Sequence, residues 1–460
     1  MRDTTLTMVA FMQAQNCSNY VGSWRHPATM RDFLAPEYYR RIARTLEDGL
    51  FHACFFDDRL AMPDAYGGDY RSSVENGIRC VKLDPTVPLM MMGTATRHLG
   101  LGTTYSTTYY EPFHVARLFQ TMDLMFDGRM AWNVVTSLND TEAANFGHEA
   151  HLEHDLRYDR ADEFMEVVLG LMDSWEDDAI VADKSGRFAD PAKVHQLDHT
   201  GRFFKSRGPL PVPRSAQGRP VLLQAGQSGR GRRFASRWGD MIFALYPSLS
   251  LGQRIYRDFK NEVAACGRRP DEVKVLPAIY VVVGETGDIA RQKLDLIDRC
   301  ALPIDALSLM SEVLNFDFAK KGDDEPFTEA EMASIGGMQT LRDRVVEASG
   351  KANPTVIDFA KHSGRGTVRE FPVFVGSPQE VADGLQEWFE GEACDGFVLA
   401  ATHLPGAYED FVRLVVPELQ RRGLYRTAYD GTTLRSNLGL PRAEVGDWKV
   451  PGEARAAASA

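Results

Sequence analysis

No C-x-x-C pair occurs in the sequence, and its six cysteines, Cys17, Cys54, Cys80, Cys266, Cys300 and Cys394, stand singly. That scatter argues against a zinc ribbon or a disulfide framework and suits reduced thiols. Long apolar runs are missing too: no stretch approaches the ~18 residues that would span a bilayer. The start, MRDTTLT, lacks the apolar segment of an export signal, so the expected location is the cytoplasm. Positive charge is scarce, with 52 Lys and Arg against 64 Asp and Glu and a net charge of −12, which disfavours a nucleic-acid partner. A G-x-G-x-x-G turn between a strand and a helix is also absent, so no built-in nicotinamide site is expected.

What is present is the material of a large core: 460 residues, 44% hydrophobic and 10% aromatic. Short β-rich runs alternate with longer helical patterns, the signature of parallel α/β architecture. Eight strands are predicted near Leu6–Phe11, Phe51–Phe56, Leu101–Ser106, Met130–Thr136, Val221–Ala225, Met241–Leu245, Val273–Val283 and Gly396–Ala400. Helical spacing lies between them, as in Glu37–Gly49, where Tyr39, Ile42, Ala43 and Leu46 share a face and Gly49 is a stop. Eight such units predict a (β/α)8 TIM barrel, with a doubly wound sheet as the rival.

We expect one barrel domain over residues 1–440 with long insertions at the C-terminal face, about 176–219 and 302–370, followed by a tail at 441–460. The first insertion ends in GPLPVPRSAQGRP, whose turn chemistry reads as a solvent-facing loop. The second is long enough to serve as a lid over the open end of the barrel. The tail closes on EARAAASA, a frayed end by composition.

Candidate chemistry gathers at predicted strand ends. The segment LLQAGQSGRGRRF runs from a strand through a glycine-rich turn into a helix. There Gly226 and Gly229 let the backbone approach an anion, Ser228 caps the helix, and Arg230, Arg232 and Arg233 add positive charge. An ordinary capped turn explains the same residues, and a G-x-S-x-G elbow is excluded because Arg230 stands where its second glycine would be. Asp57, Thr104, Asn133 and Ser137 fall at the ends of three other strands, where barrel active sites lie. Phe11, Phe55, Phe56, Phe243 and Tyr246 read equally as core or as the wall of an apolar substrate pocket. In HEAHLEHD, His148, His151 and His154 recur every third residue, but H-E-x-x-H is not met and no metal is assigned.

The long runs TYYEPFHVARLFQTMDLMFDGRMAWNVVTSLNDTEAANFG, HLEHDLRYDRADEF and PVLLQAGQSGRGRRFA, with GSWRH, ARTLEDGLF, DGFVLAATHLPGAYEDFV and GTTLRSNLGL, resemble the luciferase-like flavin monooxygenases. The branch they resemble is that of nitrilotriacetate monooxygenase component A, and within it the aromatic-sulfone monooxygenases. The likeness spans nearly the whole chain. It implies an oxygenase that takes reduced FMN from a separate NAD(P)H:flavin reductase and uses O2 to oxidise a small apolar aromatic through a flavin-peroxide. A homo-oligomer is expected.

By position, the resemblance implies that Ser228, Gly229, His154 and Tyr158 hold the phosphate and that Asp57, Thr104 and Asn133 surround the flavin ring. Thr104 and Asn133 are then the catalytic pair, placing oxygen at the central ring nitrogen. Asn19 and Tyr20 replace a His-containing stretch and Tyr246 joins Phe243, departures that leave sulfone cleavage and dehalogenation of a polychlorinated ring both open. A deazaflavin-dependent dehydrogenase and a non-catalytic flavin-binding protein are the alternatives from other classes.

Overall fold

The computed structural model describes residues 4–137, 139–227, 229–335 and 339–449. In chain order its main strands are β1 (Thr7–Gln13), β2 (Ala53–Asp57), β3 (Gly100–Ser106), β4 (Met130–Val135), β5 (Val221–Gln224), β6 (Met241–Ala244), β7 (Lys274–Val283), β8 (Val373–Gly376) and β9 (Gly396–Ala400). Their order is β6-β5-β4-β3-β2-β1-β9-β7, and β7 pairs back with β6. Every pairing is parallel, so eight strands close into the expected barrel. β8 continues the line of β6 along the upper half of β7, opposite β9.

The strands are buried on both faces, which is why they read as unbroken apolar runs such as KVLPAIYVVV. Alternation still assigns each residue a side. Val9, Phe11, Ala53, Phe55, Ala131, Leu223, Leu276, Ala278, Tyr280 and Val398 form the interior cluster. Met8, Met12, Cys54, Phe56, Trp132, Ile242 and Val275 pack outward against the helices.

The helical layer includes α1 (Pro36–Asp48), α2 (Pro112–Met125), α3 (His154–Met172), α4 (Gly229–Trp238), α5 (Leu249–Ala265), α6 (Gly287–Cys300), α7 (Pro303–Leu314), α8 (Pro378–Glu390) and α9 (Val416–Arg421). Local chemistry sets several boundaries. Pro36 and Pro112 open α1 and α2, where a missing N–H costs nothing, and Thr286 accepts from Ile289 N to start α6. α1 buries Tyr38, Tyr39, Ile42, Ala43 and Leu46, the face its spacing predicts.

The stretch GPLPVPRSAQGRP departs from its solvent-facing expectation. Leu210, Arg214, Ser215 and Gln217 are buried below the barrel, because Ser215 and Gln217 donate to Asp123 and Arg214 pairs with Asp173. Residues 441–449 pack onto the same network, where Trp448 Nε1 and Gly446 N both donate to Asp173 at 2.8 Å. The segment EARAAASA lies outside the described residues. Within 302–370 the described residues build a separate apolar core around Phe318, Phe327 and Phe359. They dock on the loops after β1 and β2: Asp305 takes a two-pronged bond from Arg25 at 2.7 and 2.9 Å, and Glu312 accepts from Asp64 N and Ala65 N.

Candidate active site

The upper ends of β1 to β5 present a run of polar side chains above the aromatic interior. At the end of β2, Asp57 takes a 2.6 Å ion pair from Lys82. On β3, Thr104 Oγ1 donates to the Phe56 carbonyl at 2.7 Å and accepts from Asn133 Nδ2, on β4, at 2.8 Å. That order is fixed in direction. The threonine proton is committed to a carbonyl, so Asn133 must present its NH2 to Thr104 and its carbonyl oxygen elsewhere. Asn133 Oδ1 is buried and has no partner among the described residues. Ser137, held at φ 58°, donates to Ser106 Oγ at 3.0 Å.

Beyond β5 the backbone folds tightly. A methyl group on Gly226 would meet the Gly231 carbonyl at 2.5 Å, and one on Gly231 would meet the Tyr158 hydroxyl at 2.6 Å. Gly229 takes φ 50° as the first residue of α4. Ser228 lies outside the described residues. Burial pushes the Tyr158 phenol up, with the Arg157 charge opposing it, so the hydroxyl stays protonated as a donor. His154 is the exposed first residue of α3, its ring 5.1 Å from that of Tyr158. Arg230 and Arg232 do not supply the free positive charge expected of them. They project to the helical layer, where Arg230 pairs with Asp162 and Asp159, and Arg232 with Asp258.

Below the polar rim, Phe11 and Phe55 stack at 5.0 Å and Phe243 lies 5.1 and 5.7 Å from them. Phe371 and Tyr280 extend the group. Asn19 joins it by donating to Tyr280 Oη at 3.3 Å while Arg79 donates to Asn19 Oδ1 at 3.0 Å. Phe56 and Tyr246 do not belong to this chamber. Phe56 faces outward toward Tyr39 of α1, and Tyr246 stacks on Trp388 of α8 with its hydroxyl bound to the Ala393 carbonyl.

Sequence reasoning passed over Gln13, Lys82, Arg79, Tyr280 and Phe371. Gln13 was within reach, since it ends an apolar strand as Asp57 does. Lys82, Arg79 and Phe371 sit in loops without a periodic signal. Among the described residues no three His, Cys, Asp or Glu side chains gather as a metal site, and His151 is instead tied to Tyr109 and Arg157.

A closed parallel barrel with hydrogen-bonding side chains at its C-terminal rim and a glycine-tight turn after β5 is the architecture of a cofactor-binding barrel enzyme. The chain belongs to the luciferase-like monooxygenases, a family that matches residues 15–395. It is 45% identical to dibenzothiophene-sulfone monooxygenase of Rhodococcus erythropolis, over 95% of this chain and 96% of that one. It is 39% identical to nitrilotriacetate monooxygenase component A of Aminobacter aminovorans, over 92% and 94%. A crystal structure of riboflavin lyase with modified FMN and riboflavin superposes with a TM-score of 0.85, at 35% identity over 95% of this chain and 96% of that one. The protein is a flavin-dependent monooxygenase. Among the described residues no helix is long and apolar enough to cross a membrane.

Proposed function

We propose that the chain is the oxygenase half of a two-component system, taking reduced FMN from a separate NAD(P)H:flavin reductase and cleaving the C–S bond of a small aromatic sulfone. The observation that carries this is the junction of two environments at one rim: an orphaned acceptor on Asn133 directly above a chamber of Phe11, Phe55, Phe243 and Phe371. The name of the Rhodococcus relative supports the substrate class. The riboflavin lyase complex supports FMN.

The residues fit a flavin mononucleotide. The orphaned Asn133 Oδ1 suits a ring N–H, and the close packing at Gly226 and Gly231 leaves no room for a side chain, as a backbone cradle for a phosphate requires. Ser228, Gly229, His154 and the Tyr158 hydroxyl would hold the phosphate end. Asp57, Thr104 and Asn133 would surround the ring, with Ser137 supporting from the β4 loop. When bound, reduced FMN supplies the two electrons with which dioxygen is activated.

Thr104 fixes the Asn133 amide so that its polar contact is in place before reaction begins. The aromatic chamber orients an apolar ring and excludes water, and Asn19 with Tyr280 offers the polar end of the substrate a hydrogen-bonding wall. In this reading residues 1–440 act as one barrel unit and residues 302–370 cover its mouth. The test is a product screen with FMN, a reductase and NADH in air against aromatic sulfones, chlorinated aromatics and aminopolycarboxylates. Sulfinate release from the sulfones alone is expected. Halide release alone would replace the substrate assignment. Substrate oxidation without oxygen uptake would make the chain a dehydrogenase, and NADH oxidation by the chain without reductase would remove the two-component reading.

A further inference from the structure

We infer that Gln13 is a further cofactor-contacting residue, whose carboxamide reads the donor-and-acceptor edge of the flavin's pyrimidine ring. The inference rests on the flavin reading above. Gln13 is the last residue of β1, paired in register with Asp57 of β2. Phe11 and Val9, two and four residues earlier, line the barrel interior, so the same alternation turns Gln13 toward the mouth. It is 2% exposed, yet among the described residues neither Oε1 nor Nε2 has a partner.

The groups around it are already engaged. Asp57 is paired with Lys82, Lys82 also bonds Gln15 Oε1, and Gln15 Nε2 turns back to Ser18 O and Cys17 Sγ. A buried carboxamide with both ends unpaired is destabilising at each orphaned group, so a leucine would be the more stable residue at a mere packing position. An unpartnered polar side chain at a strand end of the C-terminal face is therefore aimed at a ligand.

The chemistry of the amide selects which part of which ligand. A carboxamide offers one donor and one acceptor side by side. An aromatic hydrocarbon answers neither and a sulfone, with oxygens alone, answers only Nε2, leaving Oε1 buried and unpaired. The pyrimidine edge of a flavin carries an N–H between two carbonyls and answers both at once. Asn133 differs in kind, because its NH2 is anchored on Thr104 and the orphaned atom is the acceptor alone. Two orphans on different strands thus ask for different faces of one heteroaromatic ring.

The experiment is an anaerobic titration of the full chain with reduced FMN and with reduced N3-methyl-FMN, comparing wild type, Gln13→Leu and Gln13→Glu. We expect Gln13→Leu to weaken FMN 5–50-fold while its melting temperature stays at or above that of wild type, since an orphaned amide has been removed. N3-methyl-FMN should bind wild type and Gln13→Leu within twofold of each other, because the blocked N–H has already lost the contact. Gln13→Glu, which keeps an acceptor, should fall between the two for FMN. FMN binding equal in wild type and Gln13→Leu would overturn the inference. A changed substrate KM alongside that equality would reassign Gln13 to the substrate. Wild type that binds no flavin would instead sink the flavin reading itself.

Discussion

Replacing Thr104 by valine tests the directed hydrogen-bond chain at the heart of the site. The two side chains have nearly the same shape, so the barrel interior is not opened, but the hydroxyl that joins Phe56 O to Asn133 Nδ2 disappears. Two buried groups lose their partner. At about 1–3 kcal/mol for each, less what the new methyl regains by burial, the net cost is about 2–4 kcal/mol. With an unfolding entropy of about 2.1 cal/mol/K per residue, a chain of this length shifts by about 1 °C per kcal/mol, so Tm should fall by about 2–4 °C.

The functional loss should be larger in proportion. Freed from Thr104, the Asn133 amide turns between two orientations and its oxygen is no longer held toward the mouth. Loss of a preorganised contact of this kind is worth about 2.7–4 kcal/mol in the transition state, roughly 10²–10³ in kcat. The assay measures product and hydrogen peroxide per NADH consumed, with a reductase and FMN. Peroxide should rise as product falls, while FMN affinity stays within about tenfold. Unchanged Tm together with wild-type product per NADH would refute both the hydrogen-bond chain and its role.

Three further perturbations follow from the same structure. Tyr158→Phe removes a hydroxyl that burial keeps protonated, and should weaken FMN by about 1.5–3 kcal/mol, roughly 10–100-fold, with turnover at saturating flavin retained; fluorescence titration checks it, and unaltered affinity counts against a phosphate contact. Arg25→Met strands the fully buried Asp305 carboxylate and should destabilise the fold by about 3–5 kcal/mol; denaturant unfolding reads the loss, and Arg25→Met with Asp305→Asn should recover part of it. Asp58 is pushed up to about 7, chiefly by burial, with Lys82 opposing and Asp57 and Asp84 adding to the rise. Because the folded value exceeds the unfolded one, its stabilising contribution is complete below about pH 4 and is lost as pH rises through about 7. Asp58→Asn should therefore flatten the fall of Tm between those limits, and parallel wild-type and variant curves would contradict it.

The barrel was legible because strands buried on both faces read as apolar runs separated by helical spacing, and each of the eight falls within a few residues of its expected place. The same property hides which side a residue faces. Phe55 and Phe56 look alike in FHACFF, yet Phe55 points into the chamber and Phe56 toward Tyr39, since one residue of register exchanges interior for helical layer. Turn chemistry misled at GPLPVPRSAQGRP because it describes backbone bends, whereas burial there follows from Ser215 and Gln217 meeting Asp123, more than ninety residues away. Arg230 and Arg232 read as free cations because their carboxylate partners on α3 and α5 are brought near only by helix packing.

Site residues were found one at a time, by their place at strand ends, but what they can do together depends on barrel register. Thr104 and Asn133 are 29 residues apart and become partners because β3 and β4 pair Thr104 with Asn133 directly. Shifting that pairing by one residue would turn Asn133 outward and place an apolar valine or tryptophan against the threonine. The orphaned acceptor is thus a product of three strands: β2 supplies the carbonyl that takes the threonine proton, β3 the threonine, and β4 the amide whose direction is thereby set. Neither residue type nor spacing carries that direction, and in the proposed function it is the direction that would suit the rim to a ligand N–H.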